Sequence, residues 1–275
     1  MDMALNKLQH KGHAWIMLIG LLLVMALMYS LRRCRYAGES ERLHPSGGDT
    51  IDVAIEYSPM SLYRYDDTLG GFNYDMIRLL AEKHGFTVKF HPVVKLAKSL
   101  EHIEDKTYDI LVADIPLTAE FKDRYDFLEP VLLDRQVLVQ MKDSTGQPQI
   151  KNRLDLAGDT VWGVDGSSIV GRINNLAHEI GDTIYINYEP EYGAEQLFIM
   201  TATGEIKQAV INERIAKSLS ADYPDADIST NISFTQFQSW IAGKKRPEFT
   251  DSLNRWIIEF KGTPEYRNLE KRYLR

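Results

Sequence analysis

The stretch that most limits what this chain can fold into runs from Tyr108 to Phe127, YDILVADIPLTAEFKDRYDF. Ile110, Leu111, Val112 and Ala113 form an apolar run with the composition of a buried strand. It breaks on a polar loop, Asp114 to Thr118. A charged segment follows, with Thr118 at an N-cap position and Glu120 in the first turn. A buried strand that ends in a polar loop and a short helix belongs to an open α/β sheet, and such sheets take ligands at the carboxyl ends of their strands. The same residues also suit an ordinary strand-to-helix connection.

The pattern repeats on both sides of this stretch. IDVAIEY from Ile51 reads as a strand. FNYDMIRLLAEKHG places Met76, Ile77, Leu79 and Leu80 at helical spacing and ends on Gly85. FTVKFHPV alternates as a strand, and KLAKSLEHIEDKT reads as an amphipathic helix. After a long extended run, Leu132 to Asp143, comes a polar break, and the alternation restarts. TVWGVDGSS is a strand into a Gly-Ser loop, IVGRINNLAHEIG a helix, TIYINY a strand and GAEQLFIMTATG a helix. KQAVINERIA reads as a short strand and a polar turn. FTQFQSWIAGKK is an extended return, and TDSLNRWIIEFKG and TPEYRNLEKRYL are closing helices, Pro264 standing in the first turn of the last. Strands alternating with helices of a dozen residues predict an α/β fold with parallel, doubly wound sheets. The restart predicts two lobes, about 50–136 with 232–275 and about 141–231, hinged at Gln136 to Met141 and Ser233 to Trp240. Trp162, Trp240 and Trp256 fall within patterned segments and are expected in the core.

Residues 1–13 form a polar tail. Ala14 to Leu31, AWIMLIGLLLVMALMYSL, carries no charge over 18 residues, the lower limit for one transmembrane helix. Trp15 and Tyr29 sit near its ends, and Arg32, Arg33 and Arg35 follow at once. No small-residue cleavage motif precedes Arg32, so the run reads as an uncleaved anchor rather than a signal peptide. Arginines stand before Cys34 where lipidation needs small residues. Flanking charge leaves the orientation near a tie. Residues 32–49 are a polar linker with Pro45 and paired glycines. A net charge of −7 argues against a nucleic-acid partner. The single cysteine excludes an internal disulfide. No histidine stands at metal-ligand spacing from another His or Cys, so neither structural zinc nor a cofactor is expected.

Read with its residues, this order of elements resembles the bacterial periplasmic solute-binding proteins of family 3. The resemblance covers about residues 50–275. It is carried by LGGFNYDMIRLLAEKHGFTVKF, by YDILVADIPLTAEFKDRYDFLEPVLLDRQVLV, by Gly-Ser-Ser after a strand, by GEIKQAVINERIA and by KGTPEYRNLEKRYL. It implies a two-lobe periplasmic-binding-protein fold (type II), placed outside the inner membrane behind the transmembrane helix. The chain is also similar to the solute-binding half of membrane-bound lytic transglycosylase F, whose catalytic domain is not expected here because the chain stops at Arg275.

The resemblance also nominates a site. The family's amino-acid binders clamp the ligand carboxylate with an arginine after T-x-E; the matching residue here is Phe121. Arg124, one helical turn on, is a substitute or else a surface residue paired with Glu120. Those binders hold the ligand ammonium with an aspartate, at the position of Asn212 here. What remains is polar and aromatic: Tyr57, Ser61 and Tyr63 after the first strand, Asp114 and Thr118 in the first lobe, and Ser167, Ser168, Asn212 and Glu213 in the second. Thr118 and Ser167 serve equally as helix caps. Three functions follow. The first is a membrane-anchored binder of a small polar ligand, amino-acid-, peptide- or muropeptide-like but not a standard free amino acid, partnered by an ABC permease. The second is a sensor of cell-wall metabolism partnered by a cell-wall enzyme. The third is a dehydratase-like enzyme using Asp114 and Glu213, against which the chain is expected not to be an enzyme.

Overall fold

The computed structural model describes residues 50–244 and 246–274, together with Val24, Met25 and Met28. The predicted tail, the linker with Cys34, and the anchor apart from those three residues lie outside the described residues. Among the described residues no helix is long and apolar enough to cross a membrane. The elements from Thr50 onward fall in one compact unit, Glu41–Arg275.

Strand β1 (Thr50–Glu56) leads into a small hairpin, β2 (Tyr63–Tyr65) and β3 (Thr68–Gly70), and then helix α1 (Phe72–His84). Met76, Ile77, Leu80 and Ala81 recur at helical spacing and are fully buried. Gly85 then stops the helix in the left-handed conformation at φ 73°, its N–H on the Ala81 carbonyl. β4 (Thr87–Val93), α2 (Leu96–Glu104), β5 (Ile110–Pro116), α3 (Ala119–Arg124), β6 (Asp126–Phe127) and β7 (Leu132–Asp134) complete the first pass. β5 is buried at every position. β4, β1 and β5 run parallel in that order.

The second lobe holds β8 (Gln136–Met141), β9 (Thr160–Val164), α4 (Ile169–Ile180), β10 (Tyr185–Glu189), α5 (Ala194–Ala202), β11 (Gln208–Asn212), α6 (Glu213–Ser220) and β12 (Ala226–Asn231). Its sheet runs β10-β9-β11-β8-β12. The chain then returns through β13 (Gln236–Ala242), which joins the first sheet beside β5, and ends in α7 (Pro247–Lys261) and α8 (Pro264–Tyr273).

Three expectations need correction. The sheets are mixed, not parallel: β13 is antiparallel to β5, and β8 is antiparallel to β11 and β12. Each of these strands enters its sheet from the opposite lobe and so runs against the βα units. The predicted hinge strands are interior strands. β8 is buried from Gln136 to Gln140 because it pairs on both sides, which also puts Gln136 inside the second lobe. The crossings are shorter, Arg135 alone on the way out and residues 232–235 on the way back. They lie side by side, the Gln136 N–H donating to Ser233 Oγ at 2.9 Å and the Ile232 N–H to the Gln136 carbonyl at 2.9 Å. Finally, the predicted polar turn after Ile211 is the helix α6, which buries Ile215 and Ala216.

The tryptophans are core or partly buried. Trp240 is fully buried, and Trp162 and Trp256 pack at the core's edge.

Candidate functional site

The carboxyl ends of parallel strands point at a neighbouring lobe here, and they carry acids. β1 ends on Glu56, and the adjacent β5 brings Asp114 to the same level. Asp114 is held from behind: Asn73 Nδ2 donates to its Oδ1 at 2.9 Å and to Ser61 Oγ at 2.7 Å, while Trp240 Nε1 donates to Asn73 Oδ1 at 3.0 Å. Ser58 Oγ donates to Glu56 Oε2 at 3.2 Å. From the second lobe come Gln136, Ser167, Ser168 and Asn212, with Val164, Ile169, Ile211 and Ile215 as aliphatic wall. Together they enclose a cavity of about 50 Å³.

The lobes touch at several points around this cavity. Asn212 Nδ2 donates across it to the Asp114 carbonyl at 3.0 Å. Lys95 and Glu191 form an ion pair at 2.6 Å. Gly166 lies against Ala97, and Gly171 against the Glu120 carboxylate. Thr118, Glu120, Gln136, Ser168, Gly171 and Arg172 line a second interlobe cavity of about 150 Å³.

Burial dominates the electrostatics. It raises Glu56 to about 7, helped by the neighbouring Asp114 charge and opposed by the hydroxyls of Ser58 and Ser61. It raises Asp114 to about 6 against the Asn73 hydrogen bond and the Arg214 charge. Asp134, at the hinge, is raised to about 7 by burial.

A carboxyl whose folded pKa lies above its unfolded value binds protons more tightly when folded, so its penalty grows as pH rises between the two. For Glu56 that window runs from 4.5 to about 7. Each pKa unit is about 1.4 kcal/mol. Glu56→Gln is therefore expected to stabilise the protein by roughly 2–3 kcal/mol at pH 8 and by little at pH 4. Urea unfolding at the two pH values checks this. An equal effect at both would mean that burial of the charge is not the cause.

Of the residues nominated from sequence, Asp114, Ser167, Ser168 and Asn212 line the central cavity. Thr118 lines the second, and it also caps α3, its Oγ1 accepting from the Phe121 N–H at 3.3 Å. Ser61 is fully buried one step behind Asp114. Tyr57 is exposed, and Tyr63 sits on the β2–β3 hairpin against Gly70. Two nominations are corrected. Arg124 is exposed to solvent, 3.6 Å from Glu104 on α2 and over the Tyr125 ring, and lines neither cavity. Glu213 is drawn away by Arg135 at 2.7 Å and Lys217 at 3.1 Å. Burial pushes its pKa up, but those two cations hold it below the usual range. Phe121, at the family's arginine position, is buried in the first lobe beside Tyr125. Sequence reasoning missed Glu56, Asn73 and Gln136.

Two α/β lobes joined by two short crossings, with polar groups converging on the space between them, define a hinged binding protein. The profile of the bacterial extracellular solute-binding proteins, family 3, matches residues 50–275, and the chain belongs to that family. Curated relatives include the membrane-bound lytic murein transglycosylase F of Aeromonas hydrophila, 26% identical over 86% of this chain and 47% of the relative. The chain thus spans about half the length of that relative. They also include the arginine-binding extracellular protein ArtP of Bacillus subtilis, 24% identical over 94% of this chain and 97% of the relative. A solved structure of an ancestral arginine-binding protein bound to arginine superposes with a TM-score of 0.70 at 21% identity, over 84% of this chain and 99% of that one. At that identity the likeness concerns the fold.

Proposed function

We propose that this chain is a membrane-anchored, extracytoplasmic solute-binding protein whose lobes close on a small polar ligand other than a free amino acid. The observation that carries the reading is the Asn212–Asp114 contact across a cavity whose walls come from both lobes. A ligand held there touches both lobes and so stabilises the closed arrangement. Two features speak against a zwitterionic amino acid. The position of the family's carboxylate clamp is a buried phenyl ring, and the position of its ammonium aspartate is Asn212. Desolvating a ligand carboxylate without a partner costs several kcal/mol. Binding rather than catalysis fits the acids, since Glu213 is paired outside the central cavity. The uncharged run 14–31 supports anchoring at the inner membrane with the lobes in the periplasm. An ABC permease is the natural partner of such a binder.

A second reading, a sensor of cell-wall metabolism acting with a cell-wall enzyme, draws on the likeness to the transglycosylase F relatives.

The test is a thermal-shift screen of the full chain in detergent against amines, amino acids, dipeptides and muropeptides. A solute at 100 times its Kd is expected to add about 2.7 kcal/mol of stability. A muropeptide shift selects the second reading, and no shift with any solute ends both.

A further inference from the structure

Two of the residues that line the central cavity carry a buried polar atom that is left unmatched. Asp114 Oδ2 and Gln136 Oε1 have no hydrogen-bond partner among the described residues, although the two residues are only 7% and 2% exposed. Both atoms are acceptors. Burying an acceptor without a donor is costly, and such atoms call for an explanation. Glu56 adds a second carboxylate to the same wall.

Several donors in the lining are already engaged. Asn212 Nδ2 donates to the Asp114 carbonyl, Gln136 Nε2 to Ser168 Oγ at 3.2 Å, and Ser167 Oγ to the Val164 carbonyl at 2.6 Å. No lysine or arginine is among the described residues of that lining. Arg214 is close enough to act on Asp114 by its charge, yet its Nε and Nη1 donate to the Leu133 and Leu274 carbonyls. The remaining wall is aliphatic.

An acceptor-rich, negatively charged, aliphatic-walled cavity complements a ligand that brings N–H donors, one positive charge and a short alkyl body. We propose that the ligand of this cleft is a small alkylammonium cation, an amine that carries no carboxylate. Its N–H groups meet Asp114 Oδ2 and Gln136 Oε1, its charge is balanced by the Asp114 and Glu56 carboxylates, and its alkyl part lies against Ile169, Ile211 and Ile215. The inference deepens, and rests on, the reading of the chain as a solute binder. A cavity of about 50 Å³ at about 10–15 Å³ per water-sized position takes about three to five heavy atoms in the closed state. A zwitterion of that size would set its own carboxylate among acceptors. A hard metal ion asks for six or more oxygen ligands, which an aliphatic wall does not supply.

The experiment is calorimetry on the full chain in detergent at pH 8, where Glu56, raised to about 7, is largely ionised. The probes are propylammonium, α-aminobutyric acid, butyrate and potassium. Propylammonium is expected to bind at least 100-fold tighter than any of the other three. Asp114→Asn is expected to weaken it at least tenfold. Should that variant fold poorly, Glu56→Gln carries the same test, since it removes a charge without removing an Asn73 partner. Equal binding of potassium and propylammonium would reveal an unselective counter-ion site and overturn the proposal. So would an unchanged affinity in folded Asp114→Asn. If amino acids or dipeptides bind and propylammonium does not, the proposal falls and the solute-binding reading stands. If no solute of either panel binds, both fall.

Discussion

Asn73→Ala is expected to lower the unfolding free energy by about 3–5 kcal/mol, the larger of the stability effects foreseen for this protein. Asn73 is fully buried, and its one amide serves three partners. It donates to Ser61 Oγ and Asp114 Oδ1 and accepts from Trp240 Nε1. Removing it leaves a buried indole N–H and a second buried carboxylate oxygen without partners. Each unsatisfied group costs about 1–3 kcal/mol, and the lost side-chain volume adds a small cavity. For a domain of this size each kcal/mol lowers Tm by about 2–4 °C, so a fall of roughly ten degrees is expected. Trp240→Phe serves as the comparison. It removes the indole donor, leaves Asn73 Oδ1 unpaired and opens a small core cavity, but it keeps the bonds to Ser61 and Asp114, so it is expected to cost less than Asn73→Ala. Urea titrations read at constant m-value decide it. A loss below about 1 kcal/mol for Asn73→Ala would mean that water reaches the three partners and that the amide is not the node it looks to be.

How far such features show in a sequence depends on how local their causes are. Asp114 is legible because it follows a purely apolar run and stands near the carboxyl end of β5, where an open sheet presents side chains to a ligand. Glu56 ends β1, while the aromatic signal falls on its neighbour Tyr57, which the structure leaves exposed. Asn73 gave a weaker signal, a polar residue on the helix's otherwise apolar buried face. Its partners lie 12, 41 and 167 residues away, beyond any local spacing. The misplaced residues share that cause. Helical geometry sets Arg124 one turn from Phe121, but in the fold its charge lies beside Glu104 on another helix. Glu213 was read as a cleft acid, and a partner 78 positions away, Arg135, takes it to the hinge. Gln136 looked like the start of a crossover because its run is extended. Its burial comes from β11 and β12, which pair with it from far along the chain. Strand and helix order is set largely by local pattern; which polar atom meets which is set by tertiary packing.

Closure itself is testable at two glycines with opposite expected outcomes. Gly166→Ala is expected to hold the lobes apart, while Gly171→Ala leaves them closed. Gly166 sits in the left-handed region at φ 76°, which costs an alanine about 1 kcal/mol by itself. A Cβ there would stand 2.7 Å from Ala97 Cα and 2.9 Å from both its nitrogen and its Cβ. Ala97 belongs to α2 of the first lobe and Gly166 to the second, so the clash is between lobes and involves backbone that cannot swing aside. The lobes are joined only through Arg135 and residues 232–235, and separating them is the cheaper response. Separation breaks the Asn212–Asp114 bond and the Lys95–Glu191 pair. Any ligand then binds a less populated closed state, and its apparent Kd rises as the inverse of that population. Gly171 lies inside α4, and an added Cβ meets only the Glu120 carboxylate, the far end of a flexible side chain. Alanine there also gains up to about 1 kcal/mol of helix propensity. Small-angle scattering should therefore show a larger radius of gyration for Gly166→Ala and an unchanged one for Gly171→Ala, with the second variant melting no lower than the parent. If Gly166→Ala scatters like the parent, the Gly166–Ala97 approach is not what sets how far the cleft can shut.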